Sequence, residues 1–161
     1  MTDLRIVPPK PFDTDVAIVG GGLAGLTAAC RLAASGQGVT LFEARSRLGG
    51  RMLTTGVMPV AERPWVDLGP AWFWPHHQHM GALVAQLALP VFEQYRDGLA
   101  RYEAGAGSPP ESFDPSGSAD PSLRLVGGMA ALTRALYAAS QAAPTPVAMH
   151  LDAAVRAITV H

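Results

Sequence analysis

The sequence predicts an α/β fold built around a parallel sheet, and three observations carry that prediction. Val16-Ala-Ile-Val19 is an apolar run with three β-branched residues, as a buried parallel strand needs. It leads straight into Gly20-x-Gly22-x-x-Gly25, after which Leu23 to Ser35 reads as a helix. A second β-like run, Gly38-Val-Thr-Leu-Phe42, then ends at Glu43. Together these make a βαβ unit, for which a right-handed crossover is expected.

The glycine spacing gives that unit a Rossmann-like chemistry. Gly20 permits a tight turn, Gly22 lets a pyrophosphate approach the backbone with no Cβ in the way, and Gly25 lets the helix pack close to its strand. Phosphates then sit on the unpaired N–H groups of the helix N-terminus, at Leu23 and Ala24. Glu43 lies 18 residues beyond Gly25, where an acid accepts hydrogen bonds from the ribose hydroxyls of an adenine dinucleotide. No basic residue stands in its place, so a 2′-phosphate is disfavoured. A glycine-rich turn without a ligand is the plainer reading of the motif alone; the flanking strand, the helix and the spaced acid argue against it.

The helix alternates small residues, Ala24, Ala28 and Ala29, with Leu26 and Leu32, which lets it lie close on a sheet, and Gly36 is its expected stop. Cys30, the only cysteine, excludes an intramolecular disulfide framework, fits a reducing compartment and reads as a small buried hydrophobe. With 161 residues, 48% apolar and 16% charged, the chain has room for one folded domain with a core. A formal net charge of −1 argues against nucleic acid or an anionic membrane surface as partner. Met1 to Pro11 lacks the apolar core of a signal peptide, and glycines break the longest apolar stretch, so no membrane span and a cytoplasmic location are expected.

Glu43-Ala44-Arg45-Ser-Arg47-Leu-Gly49-Gly50-Arg51, with Thr54 after it, resembles the second glycine motif, Arg-x-Gly-Gly-Arg-x-x-Ser/Thr, of the flavin-containing amine oxidase family. The resemblance implies FAD rather than NAD as cofactor, with Ala44 and Arg45 beside it. Gly49 and Gly50 free the backbone to pass near a cofactor, and Arg51 can neutralise pyrophosphate charge bidentately. A solvated basic loop is the plainer alternative for the arginines. Asp67-Leu-Gly69-Pro70-Ala71-Trp72 is similar to the family segment that runs under the flavin ring, which implies that Gly69, Pro70, Ala71 and Trp72 lie near the flavin. Pro70 departs from the small residue usual after that glycine. Leu123 to Met129, with Gly127 and Gly128, resembles the family's Gly-Gly-Met-x-x-Leu element, a strand, a turn and then a helix carrying Leu132, Leu136 and Tyr137. Val147 to Leu151 and Ala154 to Val160 are two further β-like runs, and the resemblance sets Val155 against the adenine, with ordinary strand packing as the alternative.

Other stretches read more plainly. Trp72 could wall an aromatic substrate cage, yet packing is the expected role of Trp65, Trp72 and Trp74. His76, His77 and His79 follow Pro75 in the first turn of an amphipathic helix whose apolar stripe is Met80, Leu83, Val84 and Leu87. No Cys, Asp or Glu stands near them in sequence, so no metal site is expected. Val91 to Tyr95 and Leu99 to Glu103 read as a β-hairpin turned by Asp97-Gly98. Residues 104–122 hold one large apolar residue and are expected to form a mobile loop.

The expected organisation is an N-terminal tail at 1–14, then an FAD-binding domain over 15–161 carrying the loop 104–122 and the remnant of a substrate domain at about 78–126. The resemblance runs over nearly the whole chain but corresponds to roughly the N-terminal third of a family member. It implies an FAD-dependent oxidoreductase that oxidises a small-molecule amine with flavin as hydride acceptor. No catalytic residue is assigned: the family's lysine near flavin N5 has no counterpart, since Lys10, the only lysine, precedes the first strand. Two other readings stand beside it. One is a non-catalytic dinucleotide-binding or self-associating module, a homo-oligomer through an exposed sheet edge; the other is a phytoene desaturase-like or protoporphyrinogen oxidase-like flavoprotein.

Overall fold

The structure is a computed structural model that describes residues 14–56, 65–115 and 120–159. These fall into two compact units, one made of Met1–Gly50 with Thr133–His161 and the other of Arg51–Leu132. The N-terminal tail lies outside the described residues except for Thr14.

The first unit contains the βαβ element. β1 (Val16–Val19) pairs in parallel with β2 (Val39–Phe42), Val16 opposite Val39, and β2 pairs in parallel on its other side with β9 (Ala148–His150), Thr40 opposite Ala148. As the middle strand, β2 buries Val39, Thr40 and Leu41. Its uncharged sequence, Val-Thr-Leu-Phe, suits cover on both faces. β1 corrects the expectation of a fully buried strand: Val16 and Ile18 are half-buried, whereas Ala17 is exposed and Val19 is 59% exposed. Alternate residues of a strand point to opposite faces, and one face of β1 is uncovered.

α1 (Leu23–Ala34) turns Leu26, Ala29 and Ala33 into the core. Gly36 ends it at φ +85, donating to the Ala33 carbonyl while Gln37 N–H reaches back to Leu32. α3 (Ala130–Gln141) begins in the second unit and continues into the first, where Leu136 and Ser140 are buried. There the Cys30 thiol, only partly buried, donates to the Leu136 carbonyl at 3.0 Å and ties α1 to α3. Burial pushes the Cys30 thiol pKa up, in keeping with a structural cysteine.

In the second unit β3 (Thr54–Gly56) pairs antiparallel with β4 (Trp65–Asp67), Thr54 opposite Asp67. That pairing presents two side chains to the start of α3. Asp67 Oδ1 accepts from the Thr54 hydroxyl and from Met129 N–H at 2.9 Å, and Thr54 Oγ1 accepts from Ala130 N–H at 2.9 Å. Orphan N–H groups of the helix are thereby capped. Arg124 Nη2 stands 3.6 Å from Asp67 Oδ2, whose side chain is almost wholly buried. Gly128 sits at φ +72 where a Cβ would meet Thr54 Cγ2 at 2.5 Å, so this turn requires glycine.

α2 (Gln78–Gln86) covers the predicted stripe: Val84 is buried, and Met80, Leu83 and Leu87 are half-buried. The predicted hairpin does not form. β5 (Val91–Glu93) pairs instead with β8 (Leu123–Leu125), and β6 (Ala100–Tyr102) pairs with β7 (Glu111–Phe113). The Asp-Gly turn signal is local, whereas the observed partner of β5 comes from a distant part of the chain, in a pairing that sets Val91 opposite the buried Leu125. The stretch 104–122 accordingly contains a strand rather than loop alone. After β9, the expected second β-run is not a strand over its described residues 154–159.

Candidate nucleotide-binding site

The glycine loop after β1 lies at the carboxyl ends of β1 and β2, where open α/β sheets bind ligands. Gly20 adopts φ +101 and donates to the Phe42 carbonyl at 2.8 Å, which fastens the turn to the end of β2. A Cβ on Gly25 would fall 2.0 Å from the Gly20 carbonyl oxygen and 3.3 Å from Ile18 Cγ2, so glycine here permits the close contact of helix and strand. Gly22 is different. A Cβ there would meet only Gly50 Cα at 4.0 Å, so protein packing does not demand glycine at this position. Gly22 is the N-cap of α1 and no side chain caps the helix, leaving the N–H groups of its first turn, from Leu23 and Ala24 onward, for solvent or a ligand.

Glu43 follows β2 directly and is 4% exposed. Its Oε2 accepts from Gly21 N–H at 2.7 Å and its Oε1 from Arg45 N–H at 2.9 Å. Burial works to raise the carboxyl pKa, but those two backbone hydrogen bonds and the nearby Arg45 and Arg47 charges outweigh it and hold the pKa below its ordinary value. Glu43 is therefore an ionised acceptor at neutral pH, fixed by backbone on both oxygens, each with a lone pair to spare. Arg45 Nη1 is 3.9 Å from Glu43 Oε1 and largely exposed, a weak pair; Ala44 is also exposed.

The second glycine loop packs on the first. Gly49 N–H donates to Gly21 O at 2.8 Å, Gly22 and Gly49 form a parallel bridge, and a Cβ on Gly50 would lie 3.2 Å from Gly22 Cα. Gly21, the variable position of the first motif, is thus a residue that motif reading overlooks. Its N–H serves Glu43, its carbonyl serves Gly49, and a Cβ would fall 2.6 Å from Leu48 Cδ2. The unbroken Gly20-Gly21-Gly22 run is the sequence signal that could have revealed it. The backbone after β9 is latched to the same end of β2: Ala153 N–H donates to Glu43 O at 2.9 Å and Asp152 N–H to Arg45 O at 3.0 Å. Val155, two residues on, is 39% exposed.

The remaining predicted positions belong to the second unit. Arg51 is exposed, and a Cβ on Gly69 would fall 2.1 Å from the Arg51 carbonyl oxygen, a crossing only glycine allows. Pro70 is exposed, Ala71 half-buried and Trp72 50% exposed, and Trp65 is 48% exposed. The packing role expected of those two tryptophans leaves half of each surface open. The histidine turn also gains an acidic neighbour that sequence distance concealed, with His76 Nδ1 3.6 Å from Asp120 Oδ2. Among the described residues, no three potential metal ligands gather, and no helix is long and apolar enough to cross a membrane.

Fold and glycine loops define a Rossmann-like α/β domain, and residues 18–87 match the family model of the NAD(P)-binding Rossmann-like domain. The chain is 37% identical over 109 residues to putrescine oxidase of Kocuria rosea, covering 67% of this chain and 22% of that protein. It is 35% identical over 96 residues to a flavin-containing amine oxidase of Danio rerio, covering 59% of this chain and 18% of the relative. A solved structure of putrescine oxidase bound to putrescine superposes with a TM-score of 0.55 at 33% identity, over 63% of this chain and 22% of that one. The chain is thus similar to the N-terminal part of flavin-containing amine oxidases. It spans about a fifth of the length of these relatives.

Proposed function

We propose that this chain binds FAD and serves as the nucleotide-binding part of an enzyme that oxidises a small-molecule amine. The observation that carries this reading is the Glu43–Gly21–Gly49 network, in which an ionised, backbone-held carboxylate stands beside two interlocked glycine loops. The residues fit the AMP and pyrophosphate half of the cofactor: Glu43 offers lone pairs to ribose hydroxyls, Gly22 leaves a Cβ-sized space, and the first-turn N–H groups of α1 face no capping side chain. On this reading Leu23, Ala24, Ala44, Arg45, Gly50 and Arg51 flank the dinucleotide, Val155 flanks the adenine, and Gly69, Pro70, Ala71 and Trp72 flank the flavin. Bound flavin supplies the hydride acceptor for amine oxidation, while the protein binds and orients it. Amine oxidation is favoured over the carbon–carbon chemistry of desaturase-like flavoproteins by the relatives' names. A reducing, cytoplasmic setting accords with a lone cysteine engaged with a backbone carbonyl.

Titration of the purified protein with FAD, read by quenching of flavin fluorescence, tests the reading. Saturable binding is expected, weakened roughly ten- to hundredfold in Glu43→Ala through loss of hydrogen bonds to a charged acceptor. Absence of FAD binding by the wild-type chain refutes it. One observation favours a second reading, self-association: among the described residues β1 has a neighbour on one edge only, and Val19 is 59% exposed. A monomer at micromolar concentration by light scattering refutes that one.

A further inference from the structure

Arg47 is the charged residue of the second glycine motif to which no ligand role has been assigned. It is half-buried, whereas Arg45 and Arg51 are exposed. Its Nη2 donates to the Gly50 carbonyl at 2.9 Å and its Nη1 to the Leu48 carbonyl at 3.3 Å, so the guanidinium folds back onto the loop that follows it. That loop cannot hold its own shape. Gly49 and Gly50 adopt φ of +100 and +57, a region that glycine enters freely and leaves as freely. Yet the loop must keep Gly49 N–H at 2.8 Å from Gly21 O and Leu48 Cδ2 against Gly21 Cα, and Gly21 N–H in turn holds Glu43. A planar fork that donates to two carbonyls of one turn is suited to fixing both peptide orientations, and a lysine ammonium is not.

We propose that Arg47 is the positioning residue of the nucleotide site: its guanidinium clamps the Gly49-Gly50 turn against the first glycine loop and does not serve as a phosphate ligand. Its consequence for ligand affinity rests on the nucleotide-binding reading above; its consequence for the loop does not. Loss of the clamp frees the turn, and through Gly21 it loosens the seat of Glu43.

Amide hydrogen exchange on the ligand-free protein, together with calorimetric titration of ADP, tests the clamp in Arg47→Ala, Arg47→Lys and Arg45→Ala. Arg47→Ala should lower protection of the Gly49 N–H by about tenfold or more, as expected on losing hydrogen bonds from a charged donor, while the Leu41 N–H in the sheet keeps its wild-type rate. Arg47→Lys should recover part of the protection, and Arg45→Ala should leave it unchanged. ADP affinity should fall by about tenfold or more in Arg47→Ala at both low and high salt, because the defect lies in the loop and not in a screened phosphate contact. Unchanged Gly49 protection in Arg47→Ala overturns the proposal, as does an ADP defect that vanishes at high salt. If the wild-type protein takes up no ADP, the nucleotide reading falls, and the exchange result still decides for or against the clamp.

Discussion

Alanine at Gly25 should destabilise the protein, although glycine-to-alanine changes within helices ordinarily stabilise by up to about 1 kcal/mol. The Cβ would fall 2.0 Å from the Gly20 carbonyl oxygen, and that oxygen cannot swing aside, since Gly20 is held at φ +101 with its N–H on Phe42. Helix or turn must therefore shift by about 1 Å, and overpacking of this kind costs about 1–3 kcal/mol. Taking the upper part of that range for a backbone clash, the net loss is about 1–2 kcal/mol. Gly81 in α2 supplies the contrast. Nothing lies within 4 Å of its Cβ position and its φ is not positive, so Gly81→Ala should gain about 0.5–1 kcal/mol. Urea unfolding followed by far-ultraviolet circular dichroism should move the two midpoints in opposite directions. If Gly25→Ala raises the midpoint as Gly81→Ala does, the close crossing of α1 over Gly20 is wrong.

The buried acids give two further predictions. Asp67→Ala should cost about 2–3 kcal/mol, because it strips a cap from α3 and leaves Met129 N–H and the Thr54 hydroxyl without their acceptor; Asp67→Asn, which keeps a carbonyl oxygen, should cost less, and equal losses in thermal unfolding would contradict the capping role. Glu43 has a folded pKa below its ordinary 4.5, so its stabilising contribution is full above that pH and is lost as the pH falls through the depressed folded value. Glu43→Gln should be less stable than wild type at neutral pH, since its amide must meet one of two N–H donors. It should also lose less stability on acidification below 4.5, and parallel acid curves for the two proteins would show that Glu43 is not held as described.

What could be read from the sequence were features whose cause is local. Gly20, Gly22, Gly25 and Glu43 have positions set by one turn and one crossover, and the βαβ unit stands where the pattern puts it. The pairing of β5 could not be read, because an Asp-Gly signal favours a neighbouring partner and takes no account of Leu123 and Leu125 arriving from thirty residues further on. Gly21 was hidden for a related reason: its need for glycine comes from Leu48, a side chain of the other loop. Asp67 looked like part of a cofactor segment, but its partners Thr54, Arg124 and Met129 make it the cap of a helix, which only the folded chain brings together. His76 met Asp120 in the same way.

The discontinuity of the first unit has a consequence in time. The chain leaves that unit at Gly50 and re-enters it at Thr133, and only then does it supply β9 to the open edge of β2. Closing so long a loop adds little free-energy cost, since that cost grows only logarithmically with length, but long-range parallel pairing is slow to form. On a ribosome the whole second unit emerges before the sheet can be completed. Until it is, Glu43 N–H lacks the His150 carbonyl, and the carbonyls of Glu43 and Arg45 lack the amides of Ala153 and Asp152. Glu43 is thus synthesised well before the residues that complete the backbone pairing around it.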